Sequence, residues 1–188
     1  MWNSKDLTLM IVFAALGTVY TVFVTNMANQ ITGIAGASFL FIIGYAVFIS
    51  AQLLLFKGRR WRFLASSTIF VVLIIPTSFA GAPFDVFARI PVVISAGILD
   101  VMFNSVYGYF EKRNKLLLLT LIFAVEYNLA SPYISIIFNH VFYPPEYVTA
   151  LANAVMLMAP IIVIESLAGG YMGYKVYQRT KKVQTGII

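Results

Sequence analysis

The sequence predicts an all-α integral membrane protein, with six transmembrane helices in one compact bundle, both termini cytoplasmic, and residues 1–188 forming a single domain. Three observations carry that expectation. Of the 188 residues, 61% are hydrophobic and 11% charged, whereas an ordinary soluble domain is about 25% charged. Several apolar runs reach the ~20 residues that a helix needs to cross hydrocarbon, and they are continuous rather than alternating as in an outer-membrane barrel. The basic residues fall in alternate connections, as the positive-inside rule requires.

The six helices are expected at about Leu7–Val24, Phe39–Phe56, Phe63–Phe79, Val86–Phe110, Leu116–Phe138 and Val148–Tyr174. The opening MWNSKD has neither a basic stretch nor a small-residue cleavage site, so the first apolar run reads as a retained helix. Between helices 2 and 3 stands KGRRWR (Lys57–Arg62), between 4 and 5 EKRNK (Glu111–Lys115), and the tail carries Lys175, Arg179, Lys181 and Lys182. With Lys5 these segments hold twelve of the thirteen Lys and Arg residues. The net charge of +6 is thereby explained by cytoplasmic loops, without nucleic acid as a partner.

The other three connections contain no Lys or Arg: Asn26–Ala37, Ala80–Asp85 and Asn139–Tyr147. Asn26–Ala37 is long and rich in Gly and Ala, fitting either a flexible connector or a lid over the bundle. Asn139–Tyr147 gathers His140, Phe142, Tyr143 and Tyr147 around two prolines, as an interfacial aromatic belt or as a stacking surface for a ring-containing ligand. The thirteenth basic residue, Arg89, lies about one turn inside the outer end of helix 4. Ionisable groups at membrane depth are expensive and tend to face a bundle interior or cavity, so Arg89 is the first candidate for ligand contact. Asp85 stands four residues before it, at ion-pair spacing.

Turning each residue by about 100° places Arg89, Val93, Ala96, Asp100 and Tyr107 of helix 4 on one stripe. Helix 5 carries two polar faces, Glu126, Tyr133 and His140 on one and Asn128, Ser131, Ser135 and Asn139 on the other, which suits a central position. Pro132 also deprives the Asn128 carbonyl of its helical partner. Sorted by depth, Asp85, Arg89, Tyr133, Asn139, His140 and Asn153 form an outer tier of mixed hydrogen-bonding type, as a small-molecule site would. With Asn128 they are the candidate substrate-binding residues. An inner tier of Asp100, Asn104, Glu126 and Glu165 fits protonated acids, pairing with snorkelling basic residues, or a proton relay.

Enzyme chemistry finds no footing. There is one His, no Cys, no HExxH, no GxSxG and no glycine-rich phosphate loop, so neither a cofactor nor a metal is expected on this chain. Absence of Cys also excludes disulfides.

Six helices in 188 residues, a long first outer loop, the small-residue face of IVFAALGTVY (Ala14, Ala15, Gly17, Thr18) and the ending ESLAGGYMGYKVYQRTKK resemble the S-component of energy-coupling factor (ECF) vitamin transporters. That resemblance implies a cell-membrane subunit that captures a small water-soluble vitamin or precursor near the outer face. It further implies docking, through Ala14, Ala15, Gly17 and Thr18, on a membrane T-component driven by two cytoplasmic ATPases. The ligand is expected between the outer halves of helices 4 to 6, with Arg89 meeting a carboxylate. Two alternatives of other classes stand beside it: a ligand-free scaffold of the cell-shape (MreD-like) type, and a stand-alone proton-coupled carrier using Asp100, Glu126 and Glu165.

Overall fold

The computed structural model describes residues 2–25, 27, 31 and 40–184. The possible lid Asn26–Ala37 therefore lies, apart from Met27 and Ile31, outside the described residues. The described chain is helical, without a strand. Among the described residues six α-helices follow one another: α1 Ser4–Tyr20, extended by a π-helical turn Thr21–Thr25; α2 Ile43–Phe56; α3 Arg62–Ile74; α4 Ile90–Lys112, entered through a 3-10 turn Phe87–Arg89; α5 Leu116–Phe142; and α6 Pro145–Gln184.

Four of these are long and apolar enough to cross a membrane: Ser4–Thr25, Phe87–Lys112, Leu116–Phe142 and Pro145–Val183. The other two are shorter than the sequence pattern suggests. At 1.5 Å per residue, α2 and α3 extend only about 20 Å, short of a hydrocarbon core of about 30 Å. The early end of α3 has a local cause. Pro76 has no N–H to give the Val72 carbonyl, and Ile75, still helical in its dihedrals, closes a tighter turn by donating its own N–H to that carbonyl at 3.4 Å. From there the chain turns repeatedly up to Val86, with Ala80, Gly81 and Phe84 all at positive φ and the Phe84 N–H closing back on the Ile75 carbonyl at 2.8 Å.

The basic segments gather at one end of the bundle. Asp6, near the start of α1, is buried there between Arg59 (2.8 Å) and Arg62 (3.2 Å), and the Asn3 side chain caps α1 by accepting the Asp6 N–H. Tyr107 of α4 lies against Gly58 and donates its hydroxyl to Glu111. At the far end the α3–α4 and α5–α6 connections meet, with the Phe87 and Phe142 rings stacked at 5.2 Å. Between the two ends, Met10, Leu54, Phe56, Leu99, Phe103 and Leu119 form a fully buried core. Glycines let α6 approach α2 at backbone distance: a Cβ on Gly173 would stand 2.6 Å from the Val47 carbonyl, and one on Gly169 2.5 Å from the Ile43 carbonyl.

Candidate functional site

The charged groups inside the bundle are engaged with helix ends. A helix leaves its first N–H and last C=O groups without intrahelical partners, and in hydrocarbon no water is available to satisfy them. Side chains from the long helices meet the start of α2 and the start of α3.

Asp100, in mid-α4, is fully buried. Its carboxylate accepts the Trp61 N–H at 3.0 Å and the Leu64 N–H at 2.9 Å, and also the Asn104 side-chain amide. Trp61 is the N-cap of α3 and has no capping side chain of its own. One carboxylate from another helix thus takes both N–H groups that a capping box would normally satisfy locally. Negative charge at a helix N-terminus is further favoured by the helix dipole. Glu165 of α6 repeats the device at α2, accepting the Ile43 N–H at 3.0 Å, while the Tyr20 hydroxyl accepts the Gly44 N–H at 3.3 Å. Of the inner-tier acids, Glu126 alone keeps a buried carboxylate oxygen without a hydrogen-bond partner among the described residues.

Arg89 serves the opposite pole. It is 0% exposed. One terminal guanidinium nitrogen donates to the Thr77 carbonyl at 2.6 Å and the other to the carbonyls of Ala82 (3.1 Å) and Asp85. These carbonyls belong to the irregular chain after α3, where no helical N–H reaches them. A planar fork with several donors suits three carbonyls at once. Asp85 contributes to Arg89 its backbone oxygen and no carboxylate ion pair. Its carboxylate accepts the Ala88 N–H at 3.2 Å and the Tyr143 hydroxyl. The Tyr143 hydrogen bond, opposed by partial burial and reinforced by the Ala88 N–H and the Arg89 charge, holds the Asp85 carboxyl below its ordinary range.

The remaining candidates from the sequence do not converge. Tyr133, His140 and Asn153 are exposed, and Asn139 is buried with its side-chain oxygen unpartnered. The face shared by Glu126, Tyr133 and His140 presents its latter two members on the outside of the bundle. Among the small residues of α1, Ala14 and Gly17 are buried, Thr18 is half-buried and bonds back to the Ala14 carbonyl at 2.9 Å, and Ala15 is exposed.

Between the helices lies a partly open cavity of about 150 Å³, walled by α1, α2, α3 and α5 with Phe79 and Val92. Ala14, Gly17 and Asn128 line it, and so do residues that the sequence reading passed over: Tyr45, Gln52, Ser67 and Tyr127. No lining residue is ionisable at neutral pH. The Tyr45 ring stacks on Phe79 at 6.2 Å and meets Phe70 edge-on at 6.3 Å, and its hydroxyl pairs with Thr21 in the π-helical turn. Gln52 is 5% exposed, and its amide nitrogen has no hydrogen-bond partner among the described residues. A signal for Gln52 was present: it is the one amide in the otherwise apolar run ISAQLLLF.

Asn128 is oriented by its neighbours. Its amide nitrogen donates to the Ala124 carbonyl at 2.9 Å and to the Ser166 hydroxyl at 3.0 Å. A carbonyl can only accept, so the atom facing Ala124 is the nitrogen, and the side-chain oxygen is the polar atom left over. No protein-family model matches this chain, and neither a curated protein nor a solved structure matches it.

Proposed function

We propose that this chain is the substrate-capture subunit of an importer of the ECF type, holding a small ring-containing molecule in the cavity between the helices. The observation that carries this reading is the cavity itself: aromatic walls, a few convergent amide and hydroxyl groups and no charge. That is the composition of a small-molecule site. A volume of about 150 Å³ matches one six-membered ring. The part of the substrate that enters is therefore uncharged, and Arg89, whose two terminal nitrogens are engaged with carbonyls and which does not line the cavity, is not its counter-ion.

In this reading the chain crosses the cell membrane six times with both termini cytoplasmic. Import is energised by a membrane T-component and two ATPases, since the chain has no phosphate loop of its own. Docking would use the outward stripe of α1, where Ile11, Ala15 and Val19 are exposed at four-residue spacing. The engagement of Asp100 and Glu165 as helix caps argues against a proton relay through them.

Mass spectrometry of small molecules copurifying with the protein tests the reading, together with affinity capture of membrane partners. Wild type is expected to carry a ring-containing compound and to retain ATPase subunits. Ser67→Phe, which fills the cavity from α3, should lose the compound while keeping the partners. An empty wild-type protein that captures no ATPase subunit would sink the proposal.

A further inference from the structure

Gln52 and Asn128 line one cavity from different helices, and their unspent hydrogen-bonding capacities are complementary. The Gln52 amide nitrogen is buried without a partner among the described residues, an arrangement that costs free energy and that a rotation of the amide toward an acceptor in the cavity would relieve. Asn128 has committed both N–H groups to Ala124 and Ser166 and offers an acceptor. Its backbone adds a second one, because Pro132, inside α5, brings no N–H to the Asn128 carbonyl. Tyr45, stacked on Phe79, and Tyr127 supply flat apolar surface beside these groups.

From this pairing we infer that the cavity reads a neutral, planar nitrogen heterocycle, whose ring N–H is taken by Asn128 and whose carbonyl or ring-nitrogen acceptor is taken by Gln52. A hydrocarbon ring would fit the space and leave the Asn128 side-chain oxygen and the Gln52 amide nitrogen unpaired. An anion would enter a cavity with no cation in its wall. Selectivity for the heterocycle over its apolar isostere follows from the general rule that a site built to hydrogen-bond a ligand penalises the analogue lacking the group. The inference rests on the cavity being a ligand site, as proposed above. It deepens that reading by assigning the substrate's chemical class and the two residues that discriminate it.

The test is calorimetric titration of the purified full-length chain, first freed of any bound molecule, with four probes: 2-pyridone, N-methyl-2-pyridone, benzene and benzoate. Wild type is expected to bind 2-pyridone roughly tenfold or more tighter than benzene, about the worth of one net hydrogen bond. N-methylation should remove most of that preference, and benzoate should not bind. Gln52→Leu should bring 2-pyridone down to the level of benzene while benzene binding persists. The variant removes an unpaired buried amide, so it is expected to fold at least as stably as wild type. Equal binding of 2-pyridone and benzene, or a preference that survives Gln52→Leu, would overturn the inference and leave the capture reading standing. Failure of every ring probe to bind would overturn both.

Discussion

Arg89 shows how a side chain can be conspicuous in a sequence while its partners are not. Its position was visible as the one Lys or Arg residue outside the basic segments. Helical-wheel geometry could offer it only side chains at fixed spacing, and hence Asp85. The groups it binds are backbone carbonyls of Thr77, Ala82 and Asp85, and they are displayed because α3 stops at Ile74. The same holds for Asp100, whose partners are N–H groups of Trp61 and Leu64: every residue has a backbone, so nothing in the amino-acid letters marks them. Asn128 was legible, because an amide one turn before Pro132 combines two polar features in an apolar run. From the geometry of Arg89 follows a prediction. Arg89→Lys places a single ammonium where a fork spans three carbonyls, and should destabilise the protein by about 1–3 kcal/mol, read as a lower thermal midpoint in detergent. Ligand selectivity in the cavity should be unchanged, since Arg89 does not line it; loss of ligand at full stability would contradict the clamp role.

At the scale of elements, the hydrophobic runs fall on helices among the described residues, four of them long enough to cross a membrane, and the last continues to Gln184, well past the expected Tyr174. The two short helices diverged where the sequence held local signals of a different kind. Pro76 terminates α3 because it has no N–H to continue the ladder, and α2 begins at Ile43, where Glu165 and Tyr20 take its first N–H groups. Short helices inside a membrane bundle require such partners, so the acids of α4 and α6 and the brevity of α2 and α3 are one design seen from two sides. Gly169 and Gly173 belong to it as well, since close approach of α6 is what brings Glu165 to the start of α2. A Cβ at Gly173 would stand 2.6 Å from the Val47 carbonyl and 2.7 Å from the Ser50 Cβ, contacts that backbone movement alone can relieve. Gly173→Val should therefore cost about 1–3 kcal/mol or more through overpacking. Gly108→Ala, with nothing near its Cβ on α4, should be neutral or slightly stabilising by helix propensity. Thermal midpoints of the two variants measured side by side check the contrast, and equal effects would refute it.

For the whole molecule, the ends of the bundle and the lengths of its helices have to be reconciled. The Asp6–Arg59–Arg62 cluster places the start of α1 beside the α2–α3 connection, and the Phe87–Phe142 stack places the α3–α4 and α5–α6 connections together at the other end. Chain direction thus alternates through all six helices, although only four are long enough to cross by themselves. We propose that α3 completes its crossing with non-helical chain. The segment between Ile75 and Val86 is held by the Arg89 fork, which does for its carbonyls what water does outside a membrane. This arrangement predicts opposite accessibility for Arg60 and Ala82, both exposed and at opposite ends of α3. The chain contains no Cys, so Arg60→Cys and Ala82→Cys each introduce a single reactive thiol. In intact cells, a membrane-impermeant maleimide should label Ala82→Cys and leave Arg60→Cys unmodified until the membrane is permeabilised, because the proposed orientation, following the positive-inside rule, puts the basic end on the cytoplasmic side. Labelling of both positions in intact cells would mean that α2 and α3 form a hairpin that does not cross. Labelling of Arg60→Cys alone would invert the orientation, and with it the side from which the cavity is filled.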